Sequence, residues 1–239
     1  MPKSSRPILA RAMALGLALA MALPARAEQA TFDFSVAGIR VGSLMMEGEQ
    51  KAGRYDARSR IDTAGIVGMF LSYYFDGTST GSLAGTRVVP GRYDATSKSP
   101  RALRKTAIEW KDGTPVKVSV EPPRSTAPDP AKQGGTLDPV SAGFRLLRTM
   151  PAADVCNTTV RVFDGSRLSQ LQLAKPVASG DKLTCTGTFA RIEGEAHSLT
   201  SLRKFPFSLV FRKVDGGDAV LERIEAPTNY GNAVLTRRG

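Results

Sequence analysis

The chain has 239 residues, 41% hydrophobic and 7% aromatic, and its 33 Lys and Arg against 22 Asp and Glu give a formal charge of +11. That length and apolar content suffice for one large β domain or two small ones with a sizeable core, while no apolar run reaches the roughly 20 residues that a membrane-spanning helix needs. With a single histidine, His197, any metal centre or catalytic triad relying on imidazole would have to be built on that one ring.

Targeting comes first along the chain. Lys3, Arg6 and Arg11 form a basic start, Met13 to Leu23 an apolar run, and Ala25-Arg26-Ala27 a small-x-small cleavage site. These are the parts of a secretory signal peptide over residues 1–27, so a periplasmic mature chain is expected to begin at Glu28, after cleavage following Ala27. Residues 28–239 are then expected to form a single β-rich domain with no transmembrane segment. Lys3, Arg6, Arg11 and Arg26 take four charges away with the leader, leaving +7 of the +11. An exported basic chain meets anionic phospholipid, lipopolysaccharide or cell-wall polymer, and nucleic acid is not an expected partner. Its cations are dispersed along the sequence, which fits a solvated surface; a dedicated anion site is the other reading.

From Glu28 the hydrophobic pattern has period two. Phe32, Phe34 and Val36 alternate with polar residues, and Ala37-Gly38 turns the chain into Ile39-Arg40-Val41, which reads as a hairpin. Tyr55, Ala57, Ser59 and Ile61 continue the alternation on a third strand. Thr106, Ile108 and Trp110, a turn at residues 111–115, and Val116, Val118 and Val120 make a further hairpin. Residues 121–139 are rich in proline, glycine and small polar residues without periodicity, a loop between two halves of the domain.

Asp138 then offers a helix cap, Pro139 suits the first helical position, and Val140, Phe144 and Leu147 recur at helical spacing, predicting a helix over Pro139 to Thr149. Strand patterns follow over Val155 to Phe163, Leu168 to Leu173 and Leu183 to Ile192, with turns at Asp164-Gly165 and residues 177–181. Phe205, Phe207, Leu209 and Phe211 alternate strongly, and Pro206 assigns that strand to an edge or a bulge. Val220 to Glu225 and Ala233 to Thr236 close the series. Cys156 and Cys185 are expected to pair, closing a loop worth about 3 to 4 kcal/mol in the chain-entropy model. Two strands apart in a meander would separate them by roughly 9.5 Å. At least one cysteine must therefore lie where its strand frays or bends, or the outer strands must be neighbours.

Several motifs resemble a bacterial exported family known as domain of unknown function 3108. They are Gly38-Ile39-x-Val41-Gly42, Pro90-Gly91-Arg92-Tyr93, the helix start Thr136-Leu137-Asp138-Pro139-Val140-Ser141, Cys156, and Phe163-Asp164-Gly165. The resemblance covers most of the chain after the leader and implies a β-rich envelope protein without an assigned activity. The patterns count about a dozen strands with one or two short helices, a mainly β fold, and by analogy with periplasmic lipoprotein carriers and sensors these are expected to form a curved antiparallel sheet, or a half-open barrel or sandwich.

No residue pattern demands catalysis, a cofactor or a metal. His197 lies among Glu195, Ser198 and Thr200 and reads as a solvated side chain. Asp56, Asp62, Glu109 and Asp138 are carboxylates without a pairing the sequence can identify. Gly77-Thr78-Ser79-Thr80-Gly81 lacks the lysine of a phosphate-binding loop and reads as a turn between strands. The run Ile66, Val67, Met69, Phe70, Leu71, Tyr73, Tyr74 and Phe75 is the candidate ligand lining, and an apolar piece of core is the competing reading. Two functional expectations follow: a non-catalytic binder of a lipid or other amphipathic envelope molecule, and an envelope assembly factor that pairs with a protein partner through an edge strand, with Pro206 and Arg237-Arg238 as pointers.

Overall fold

The structure, a computed structural model, describes residues 26–63, 73–100, 102–194 and 203–238. The first half is a meander of β1 (Arg26–Val36), β2 (Ile39–Lys51), β3 (Arg54–Thr63), β4 (Tyr74–Ala84), β5 (Arg87–Ser99), β6 (Ala102–Lys111) and β7 (Thr114–Glu121). Three of its hairpins turn on Ala37-Gly38, Ala52-Gly53 and Asp112-Gly113, each with both residues at positive φ. That is the two-residue turn whose twist matches the flanking strands, and glycine takes its second position without strain.

The helix α1 (Pro139–Leu147) follows the 121–139 stretch, and then come β8 (Met150–Pro151), β9 (Thr158–Phe163), β10 (Arg167–Leu173), β11 (Val177–Ser179), β12 (Lys182–Gly194), β13 (Lys204–Lys213), β14 (Asp218–Thr228) and β15 (Gly231–Arg237). All fifteen strands belong to one antiparallel sheet, in which β15 returns to pair with β1 through Phe34↔Leu235. The path runs from β7 through β1 and β15 to β9 without closing into a barrel. It nevertheless curves strongly, because α1 touches β2 to β5 in one half and β9 and β14 in the other. The end of the 121–139 stretch lies across the gap between the two outer strands. Gly135 N–H donates to Gly113 O at 2.8 Å, Leu137 N–H to Arg161 O at 2.9 Å, and Phe163 N–H to Leu137 O at 2.8 Å.

Period two governs the inner face. Leu44 and Met46 of β2, Tyr55 and Ala57 of β3, Ile108 and Trp110 of β6, and Leu209 and Phe211 of β13 are buried in one core cluster with Val140, Phe144 and Leu147 of α1. The cysteines are bonded, with Cα atoms 5.7 Å apart. Cys156 lies before β9 begins and Cys185 lies within β12, so the pairing is reached by one cysteine sitting beyond its strand, as the geometry of a meander requires.

Three local expectations are corrected. Of the turn expected over residues 177–181, Val177–Ser179 is the strand β11 paired with β12, and only Gly180-Asp181 turn the chain. Residues 77–81 are not a turn but the middle of β4. Their small side chains admit the helix and its neighbours: a Cβ on Gly77 would stand 2.8 Å from the Phe75 ring and 3.0 Å from Val140, and one on Gly81 only 2.2 Å from Val89 O. The strand bearing Pro206 is no edge, since β13 lies between β12 and β14. Pro206 is tolerated because pairing with β14 starts only at Ser208, so the missing N–H falls where β13 has a single partner, β12, opposite Thr188.

The seating of α1 makes a specific demand on β2. A Cβ on Gly48 would lie 2.5 Å from the Phe144 ring, so Gly48→Val is expected to destabilise the fold by about 1 to 3 kcal/mol in urea unfolding despite valine's preference for strands. Glu49→Val, on the outer face, is expected to stay within about 0.5 kcal/mol of the parent.

Candidate functional site

The start of α1 is built around one buried carboxylate. Asp138 is 0% exposed and caps the helix by accepting from Ser141 N–H at 2.8 Å. Its Oδ2 accepts from Ser79 Oγ at 2.8 Å and from Ser141 Oγ. Tyr55 Oη lies 2.7 Å from Ser141 Oγ and 3.2 Å from Ser79 Oγ. Because both serine protons go to Asp138, Tyr55 is the donor to the serines, and every hydroxyl in the cluster is satisfied. Burial pushes the Asp138 carboxyl up to about 6 against these hydrogen bonds. Burial also pushes the Tyr55 phenol up to about 12, and the nearby Asp138 adds to the shift. All four side chains are sealed from solvent. The cluster therefore joins α1 to β3 and β4; it offers no nucleophile to a substrate.

The open volume lies on the other flank of the helix. Phe144 and Val140 settle onto β2 to β4, with Phe144 stacked on Tyr55 at 5.1 Å between ring centroids. Gly143 and Leu146 face a cavity of about 350 Å³ whose further walls include Leu44, Met46, Ile61, Phe75 and Ile224. One side is polar, with Arg104, Asp164, Ser166 and Arg167. The Asp164 carboxylate accepts from Ser166 N–H at 2.8 Å and Arg167 N–H at 2.7 Å, which fixes this turn. Ser166 Oγ is buried and has no hydrogen-bond partner among the described residues. Tyr73 is at the wall too; burial pushes its phenol up, Arg167 draws it back down and Asp164 adds to the rise.

Of the candidate lining residues, Tyr73 and Phe75 meet at this cavity. Tyr74 points to the outer face, where its hydroxyl donates to Asp76 at 3.1 Å. Ile66, Val67, Met69, Phe70 and Leu71 lie outside the described residues, as do His197 and most of the signal segment. The flanks of the 64–72 stretch are joined beside the cavity: Thr63 N–H donates to Tyr73 O at 3.1 Å and Tyr73 N–H to Thr63 Oγ1 at 2.6 Å. The residues missed by motif reading, Leu44, Met46, Ile61, Leu146 and Ile224, carried a signal only as inward members of their periodic patterns. Nothing in the sequence marked which inward residues would be left without a packing partner.

The family model described as Protein of unknown function (DUF3108) matches residues 31–237. No curated protein and no solved structure is detectably similar to the chain.

The raised Asp138 carboxyl has a signed consequence for stability. Its folded value of about 6 exceeds the roughly 3.9 of an ordinary aspartate, so between those limits the folded chain binds the proton more tightly than the unfolded chain. The contribution is most favourable below about pH 4, declines as pH rises to about 6, and is flat above, with a span of roughly 3 kcal/mol. Asp138→Asn removes this slope. Urea unfolding across pH 4 to 7 is expected to show the stability of the parent, relative to the variant, falling with rising pH; a constant difference would mean an ordinary carboxyl.

Proposed function

The chain belongs to the DUF3108 family, a family of unknown function, and from that premise we propose that it is a non-catalytic periplasmic protein that holds an apolar or amphipathic envelope molecule in the cavity beside α1. The observation that carries this reading is the cavity's division into an apolar wall and one polar side. Concave sites of this size, mostly apolar with a few placed polar groups, bind small molecules by burying their hydrocarbon part and orienting their polar part.

Ser166 supports the same reading. A buried hydroxyl without a partner costs about 1 to 3 kcal/mol, and a polar ligand group reaching Ser166 Oγ would remove that cost. Arg104 and Arg167 on that side match an anionic or hydrogen-bonding head. Export is supported by the charged, apolar and small-residue parts of residues 1–27 and by the Cys156–Cys185 disulfide, a bond that persists in oxidising compartments.

Native mass spectrometry of protein purified from periplasm without detergent is expected to show a lipid-sized mass on the chain, and a bare monomer would count against the carrier reading. Ile61→Ser with Leu146→Ser alters two partly exposed walls of the cavity. The double variant is expected to weaken binding of a fluorescent fatty acid by at least ~tenfold, about 1.4 kcal/mol. Unfolding is expected to reach the same signal change at a somewhat lower midpoint. Unaltered fatty-acid binding would place the hydrocarbon elsewhere.

A further inference from the structure

We propose that a second groove, at the opposite end of the strands from the apolar cavity, binds a polyanion bearing phosphate or carboxylate groups through Arg54, Arg87, Arg145 and Arg161. The groove encloses about 960 Å³ and shares no lining residue with the cavity beside α1. The cavity meets the strands around Ile61, Phe75, Ser97 and Arg104, whereas the groove meets them around Arg54, Ala84 and Arg87.

The arginines converge from separate elements: Arg54 opens β3, Arg87 opens β5, Arg145 lies in the last turn of α1, and Arg161 is in β9. Sequence distance hides this arrangement. It exists because α1 crosses the inside of the sheet and because β9 comes round to face the β4–β5 hairpin. Among the described residues, Asp112 is the only acidic one lining the groove.

Many arginines elsewhere on the surface are paired with carboxylates, whereas Arg191, Arg203 and Arg237 bond backbone carbonyls singly or in pairs along the sheet. Arg58 and Arg60 share Asp76 at 2.7 and 2.8 Å, Arg92 holds Asp94 at 2.6 Å, Arg212 holds Glu222 at 2.6 Å, and Arg40 and Arg238 share Asp33 at 2.8 Å. Among the described residues no carboxylate stands within 4.0 Å of Arg54, Arg87, Arg145 or Arg161. The groove therefore gathers four arginines without a carboxylate partner in one concave place, and its walls keep part of that charge from solvent, which strengthens its field.

Arg145 is also held in place. Its Nη2 donates to Thr158 Oγ1 at 2.9 Å, and Nη1 lies 3.4 Å from Thr86 O. Burial pulls its pKa down, with Asp154 opposing from a distance; a bound anion would relieve that cost. A planar guanidinium fixed by two side bonds keeps further N–H groups for bidentate contact with a phosphate or carboxylate. The size of the groove and the spread of its cations over several elements favour a ligand with more than one anionic group over a single inorganic ion.

Pyrophosphate titrated calorimetrically into the full chain at low salt, alongside sedimentation with phosphatidylglycerol and phosphatidylcholine vesicles, tests the groove. Arg87→Ala with Arg161→Ala removes two of its cations whose side chains make no hydrogen bond among the described residues. Lys98→Ala with Lys182→Ala removes the same charge outside it. The expected result is binding of pyrophosphate or of phosphatidylglycerol vesicles that weakens at least ~tenfold in the arginine variant and less than about twofold in the lysine variant. Loss confined to vesicles identifies a lipid headgroup as the source of the anion, and loss confined to pyrophosphate identifies a soluble polyanion. Binding that falls equally in both variants, binding that survives in the arginine variant, or no binding of either probe by the parent chain overturns the proposal. Thermal unfolding of both variants within about 2 °C of the parent verifies that the fold is intact.

Discussion

The architecture depends on placing one short helix inside one curved sheet. A nine-residue helix is too short to be stable by itself and takes its stability from what it buries. Here Asp138 caps it, and the same carboxylate accepts from Ser79 on β4 while Tyr55 on β3 reaches Ser141. Capping and docking are thus one hydrogen-bonded cluster. Its energetic weakness is the burial of a carboxylate, visible in the raised pKa of Asp138. Its strength is orientation: with every hydroxyl satisfied, the helix has one angle and one depth at which these bonds form.

That depth explains the small residues on the sheet's inner face. Gly48 and Gly77 lie where Phe144 and Val140 press closest, and Gly143 of the helix lies against Met46. The resulting asymmetry creates the candidate binding cavity. One flank of α1 is in tight contact with β2 to β4, and the other, with Leu146, leaves space. The sheet's curvature then brings β9 and β14 round to the same helix, so residues far apart in sequence share its two ends.

Charge follows the same division. On the outer face, arginines and carboxylates on adjacent strands stand opposite one another, and Arg58, Arg60 and the Tyr74 hydroxyl hold Asp76 well below the usual carboxylate range. Such pairs on an exposed sheet add little stability individually. They do neutralise the surface locally, so the protein's excess positive charge is not evenly felt. The dispersal of cations along the sequence therefore misleads about their dispersal in space.

Strand alternation, the glycine-bearing hairpin turns, the Asp138-Pro139 helix start and the need for either cysteine to lie off its strand, or for the outer strands to be neighbours, were all legible in the sequence, because each rests on local geometry or on a short chain segment; that Cys156 is the one off its strand came from the fold. The motifs shared with the family are of this kind: Gly42 sits against Asp62 O, Asp138 caps α1, and Asp164-Gly165 forms a turn. Residues 77–81 were misread because small polar residues in a strand look like a turn until the helix that requires their smallness is in place. Pro206 does sit where its strand has one partner, but only the register shows that this edge is local, at the start of a strand paired on both sides further along. Of the apolar run at 66–75, Tyr73 and Phe75 border the cavity, and Ile61, Leu146 and Ile224, which border it too, were hidden among other inward residues. Sequence by itself determined the class of fold, the turns and the helix, since these follow from φ/ψ preference and hydrophobic period. Which inward residues border empty space, and which arginines lack a carboxylate, were decided only by tertiary structure, because both depend on where the curved sheet and the helix come together.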